Sequence, residues 1–154
     1  MFKGSEYVLS CITKRSLLAT PTGILHYFLL RSRAPLFLCP QLAQRFCSSI
    51  AYNEQATCCR WLTWVLMPDH FHGLIVLQKH DLSSCVQHLK GFTAKRINQN
   101  LGKNGQVWQR GFYDHALRSE EHRLGIARYI IANPIRNGLV SNIKDYPYWN
   151  SVSL

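Results

Sequence analysis

The run MPDHFHGLIVL, residues 67–77, sets His70 and His72 two apart in an otherwise apolar stretch. Residues two apart on a strand point to one face, so the two imidazoles project together. As neutral rings they can hold one divalent cation between them. Asp69 could orient one ring from behind, and Gly73 would keep space clear beside His72. On the pair alone, two histidines hydrogen-bonded at a sheet surface fit equally well. A second polar group lies far along the chain. Tyr129 and Asn133 are four apart in EEHRLGIARYIIAN and share one face of a helix. An asparagine offers a carbonyl oxygen to a hard cation, and a tyrosine offers a phenolate to an electrophile. Packing for the tyrosine and a helix stop at Asn-Pro would account for each residue taken singly.

These residues need elements to hold them. GILHYFLLRS (23–32) reads as a strand stopped by Pro35, and LAQRFCSSIAYN (42–53) carries Leu42, Phe46 and Ile50 at helical spacing. CCRWLTWVLM (58–67) is a nearly continuous apolar run, as in a strand covered on both faces. Pro68 and Asp69 then break the chain tightly, so HFHGLIVL returns as the second arm of an antiparallel hairpin. Residues 81–101 begin with an Asp81 cap and carry an apolar stripe through Leu82, Val86, Leu89, Phe92 and Ile97. Residues 106–118 suggest a short strand or extended segment. Ser119 is the expected cap of a last helix that Pro134 ends. The order of elements predicts an α+β domain, a ferredoxin-like antiparallel sheet with packed helices. One such domain spans 23–154, after an N-terminal arm, 1–22, with no clear period.

Composition narrows the partners. The 154 residues suit one domain, and a hydrophobic content of 47% argues against disorder. A formal net charge of +10 points to a polyanion, nucleic acid or an anionic surface. No apolar stretch is long enough to span a bilayer, so no membrane role is expected. The six cysteines include no C-x-x-C pair and read as reduced thiols, which suggests a cytoplasmic location. Lys90, Lys95, Arg96, Arg110 and Arg118 are candidate phosphate contacts, and Tyr113 is a candidate base-stacking residue. Core packing is the stronger expectation for Trp108 and Phe112.

Four stretches in order, WVLMPDHFHGLIVL, LKGFTAKRIN, GQVWQRGFYDHALR and YIIANPIRNGLV, resemble the single-tyrosine transposases of the HUH endonuclease superfamily. The resemblance is strongest to the REP-associated tyrosine transposases and covers residues 23–150. It implies a divalent metal, Mg²⁺ or Mn²⁺, on His70, His72 and Asn133, with Tyr129 as the nucleophile; Tyr113 and His115, which lie in the third of these stretches, are the rival catalytic candidates. It also implies single-stranded or hairpin DNA as substrate, a 5′-phosphotyrosine intermediate, and a dimer or a monomer as the working unit. A homodimer is the expectation, because the apolar 58–67 and aromatic 106–113 stretches offer surface to bury. The alternatives are a non-catalytic nucleic-acid-binding protein on the same fold and a small-molecule metalloenzyme. The latter is disfavoured by three helical patterns.

Overall fold

The computed structural model describes residues 24–117, 120–152 and 154. The N-terminal arm, Arg118 and Ser119 lie outside these residues. The described chain runs β1 (Ile24–Leu29), α1 (Pro40–Thr57), β2 (Cys59–Leu66), β3 (His70–Leu77), α2 (Leu82–Leu101), β4 (Tyr113–Ala116), α3 (Glu120–Ile131), α4 (Asn133–Arg136) and β5 (Trp149–Ser151). The strands form one antiparallel sheet in the order β4-β1-β3-β2-β5. The first four strands keep the ferredoxin-like order, and β5 extends the sheet beyond β2. No periodic signal marks β5, which has only three residues.

Alternation along β3 divides the core. Phe71 and Ile75 point to one side, where they pack with Phe46 and Ile50 of α1 and Val86 and Leu89 of α2. Leu74 points to the other side and packs with Val65, Met67, Leu117 and Ile130. His70 and His72 have the parity of Leu74 and therefore lie on the α3 side. The register across β2 slips between Trp61 and Thr63. This bulge resets the alternation, so Trp61 and Trp64, three apart, both reach the α1–α2 side. Without that slip one tryptophan would crowd the histidine face.

Local signals explain the helix ends. The Asp81 carboxylate accepts from Ser84 N at 2.8 Å and caps α2. Gly102, with φ 62, closes the same helix in the left-handed region. Helix α1 starts at Pro40, earlier than the apolar spacing suggests, because proline at a first-turn position sacrifices only an N–H that would be unpaired there. Pro134 works similarly. Helix α3 stops at Ile131, but the chain re-enters a helical turn at Asn133 rather than ending there. Among the described residues, no helix is long and apolar enough to cross a membrane.

Of the stretches expected to supply a dimer surface, 58–67 is largely consumed within the chain, while 106–113 keeps Tyr113 exposed. In β2 only Arg60 is exposed, and Trp108 is buried with its Nε1 donating to Thr93 Oγ1 at 3.0 Å. The five described cysteines are free thiols.

Candidate active site

The β2–β3 turn presents the histidine pair at the end of the sheet. The His70 and His72 rings sit 4.8 Å apart, centroid to centroid, and cross at 81°. His70 Nδ1 donates to Asp69 Oδ1 at 2.5 Å. This hydrogen bond fixes the ring so that Nε2 is the nitrogen left for a ligand, the orientation usual for metal-binding histidines. Burial, and after it the neighbouring His70, push the His72 imidazole down to about 4, so it is a neutral donor at physiological pH. Gly73 does not serve this side. A Cβ there would lie 2.5 Å and 2.7 Å from two ring atoms of Trp61, on the opposite face. Its hydrogen side chain makes room for the indole, not for the histidines.

Asp69 has a second partner that sequence reading did not identify. Arg33 Nε donates to Asp69 Oδ2 at 2.7 Å. Burial works to raise the Asp69 pKa, but hydrogen bonds from His70 and Arg33, with their charges, outweigh it and hold the carboxyl below its ordinary range. Arg33 arrives from a short helical turn after β1 in which Ser32 and Arg33 have φ of 55° and 50°. Such left-handed backbone costs about 1–3 kcal/mol per non-glycine residue. Three backbone bonds clasp the segment: Leu30 N to Asp69 O at 2.9 Å, Arg31 N to Val107 O at 2.8 Å and Phe37 N to Pro68 O at 3.0 Å. Arg33 and Asp69 are 36 residues apart, so no local pattern announces the pair.

Helix α3 packs over the same sheet face. Ile126 and Ile130 seat it on Val65, Met67 and Leu74, and Tyr129 beside them remains 48% exposed. Arg136, brought round by α4, lies over the Tyr129 ring with its guanidinium carbon 4.4 Å from the centroid. Asn133 is 7% exposed, and its Nδ2 donates to Tyr129 O at 3.3 Å and Ile130 O at 3.0 Å. Two carbonyl partners assign the NH₂ end of the amide. Its Oδ1 is thereby left without a donor among the described residues. Among them no three His, Cys, Asp or Glu side chains cluster as a metal site. Two imidazoles and a buried amide oxygen are ligand types that suit a divalent cation.

The rival tyrosine shares this face. Tyr113 pairs with Tyr27 across β1–β4, and Tyr27 pairs with His72 across β1–β3, so Tyr113 and His72 stand in one cross-sheet row. Tyr113 is 57% exposed on the edge strand, two strands from the histidine.

The candidate DNA contacts separate by environment. The Lys90 ammonium donates to Gln109 O at 2.7 Å and Gly111 O at 2.6 Å, which pins the loop before β4 to α2. These carbonyls take two of the three N–H groups of the ammonium and make Lys90 a structural clamp, and a phosphate contact would use the third. Lys95 is exposed and lines a polar cavity of about 470 Å³ with Asn98, Gln99, Gly102, Lys103 and Asn104. Arg96 lies over the Phe92 ring at 5.4 Å. Arg110 is exposed on the loop held by Lys90. Arg118 lies outside the described residues.

Comparison with known proteins follows the same residues. The family model described as "Transposase IS200 like" matches residues 25–133, which include both histidines, Tyr129 and Asn133. A Haemophilus influenzae protein (strain ATCC 51907 / DSM 11121 / KW20 / Rd), provisionally described as a REP-associated tyrosine transposase, is 32% identical over 94 residues, 54% of this chain and 53% of that protein. The REP-associated tyrosine transposase of Escherichia coli (strain K12) is 30% identical over 87 residues, 55% of this chain and 50% of that protein. The chain spans about half the length of the curated relatives it matches. A solved REP-associated tyrosine transposase bound to a REP hairpin has a TM-score of 0.67 at 23% identity, over 88% of this chain and 80% of that one. At that identity the likeness is one of fold.

Proposed function

This chain belongs to the IS200-like transposase family, and from that premise we propose that it is a metal-dependent DNA strand transferase, nicking and rejoining single-stranded or hairpin DNA through a 5′-phosphotyrosine. The observation that carries the reading is the pairing of an Asp69-held histidine couple with the Tyr129 helix on one sheet face. His70, His72 and the Oδ1 of Asn133 would hold Mg²⁺ or Mn²⁺. The cation, when bound, supplies positive charge that polarises the scissile phosphate.

The remaining chemistry belongs to the chain. Tyr129 Oη attacks phosphorus, the bond from phosphorus to the 3′ oxygen breaks, and the phenolic proton leaves to solvent. The departing 3′ oxygen takes up a proton and becomes a free hydroxyl. The phosphotyrosine conserves the bond energy, so a second 3′ hydroxyl attacks phosphorus, gives up its proton to solvent and rejoins the strand without ATP, while the bond to Tyr129 Oη breaks and the phenolate takes up a proton. Tyr129 has the exposure a nucleophile needs, while Ile126 and Ile130 fix the helix beneath it. Arg136 over the ring restrains the phenol and places positive charge beside it. The +10 charge of the chain favours a polyanionic substrate.

The test is a denaturing gel of the protein mixed with labelled single-stranded or hairpin DNA and Mn²⁺. A retarded band that survives denaturant, and is absent for Tyr129→Phe and with EDTA, supports the reading. No such band with any DNA, under conditions where the protein binds it, reduces the protein to a binder on the same fold.

A further inference from the structure

We infer that Arg33 is a phosphate anchor for the DNA strand beside the histidine pair, a role resting on the strand-transferase reading. The guanidinium has five N–H groups in a rigid fork. Arg33 uses Nε to reach Asp69 Oδ2, and its two NH₂ groups have no partner among the described residues. The side chain remains 60% exposed even so. Guanidinium plane and position are therefore set by the protein while the outer edge faces solvent. That edge has the geometry for two parallel hydrogen bonds to phosphate oxygens, which a lysine cannot reproduce.

The surroundings favour an anion rather than a second carboxylate partner. Asp69 divides its two oxygens between Arg33 and His70, so it links the arginine directly to the ring proposed as a ligand. A cation on the histidines would add positive charge to the same small region, leaving an excess that a phosphate would neutralise. The backbone supports this assignment. Ser32 and Arg33 adopt the left-handed conformation in succession, and the segment is bonded on both sides to the turn that carries Asp69. A surface arginine with no task would not need so fixed a base. If Arg33 served only to hold Asp69, its charge would matter to the metal and not to DNA held without metal.

The experiment separates these roles. Binding of a labelled hairpin with a single-stranded flank is measured in EDTA across a range of NaCl. Mn²⁺ binding is measured by calorimetry without DNA. The proteins are wild type, Arg33→Gln, Arg33→Lys and Lys79→Gln. Lys79 is an exposed control in the bend beyond Leu77, and Leu77 itself is about 23 Å from His70 at the rise of a strand. Arg33→Gln should bind the hairpin about tenfold more weakly, and the slope of log affinity against log salt should shrink by about 0.7, one single-strand phosphate. Arg33→Lys should restore the slope but not the full affinity. Lys79→Gln should leave both near wild type. Unchanged slope and affinity in Arg33→Gln, or an equal loss in Lys79→Gln, overturns the anchor while the strand-transferase reading stands. A wild-type protein that takes up Mn²⁺ but no hairpin overturns both.

Discussion

Asp69→Asn offers a sharp test of the site because it changes one atom and leaves shape intact. An aspartate carboxylate accepts through both oxygens, and here one serves His70 Nδ1 and the other Arg33 Nε. An asparagine has a single acceptor. If its oxygen stays with His70, its NH₂ faces the Arg33 N–H, donor against donor, and the arginine swings away. If the amide turns over, its NH₂ faces His70 Nδ1, which must then act as acceptor. That tautomer moves the ring proton to Nε2, the nitrogen a metal requires. Either outcome weakens the site. Loss of such a supporting carboxylate typically costs about 10–100-fold in metal affinity, or about 1.4–2.7 kcal/mol. Fold stability should change little, because the Arg33 side chain is 60% exposed and exposed pairs contribute about 0–1 kcal/mol. Calorimetric titration with Mn²⁺ at neutral pH, beside a thermal melt, gives both quantities. Wild-type Mn²⁺ affinity in Asp69→Asn, with His72→Ala abolishing the same binding, would refute the claim that Asp69 sets the His70 tautomer.

Other expectations follow from single contacts. Tyr129→Phe should bind hairpin DNA but give no denaturant-stable adduct, while Tyr113→Phe retains it. Mass spectrometry showing the adduct on Tyr113 would assign the nucleophile to the edge strand instead. Lys90→Met should lower Tm by a few degrees and leave the salt slope of DNA binding near wild type, since its ammonium is held by Gln109 O and Gly111 O. Lys95→Gln should do the reverse, and a Lys90→Met protein with wild-type Tm would remove the clamp. Gly73→Ala should destabilise the fold by about 1–3 kcal/mol through overpacking, because the Trp61 indole it meets is tied by Nε1 to Asn53 Oδ1 at 2.9 Å. An unchanged melt would mean that the indole yields freely.

Periodicity and local chemistry carried most of the architecture. The alternation in HFHGLIVL put both histidines on one face, the Pro68-Asp69 break made the hairpin, and Asp81 marked the start of α2; each depends on residues near in sequence. The four motif stretches in order also sufficed to identify the family, and with it to nominate His70, His72, Tyr129 and Asn133. Tertiary structure decided what those residues touch. Lys90 looked like a cation on a helix face, but its fate depended on a loop 19–21 residues away whose carbonyls needed a donor. Gly73 looked like space beside a histidine, but the bulge in β2 sent Trp61 to its other side. The Arg33–Asp69–His70 chain and the Arg136–Tyr129 stack join residues that no helical or strand period relates. Local pattern fixes which way a side chain points from its own element. Only the packing of distant elements determines what it meets there, because hydrogen bonds and ring contacts act over a few ångströms whatever their separation along the chain.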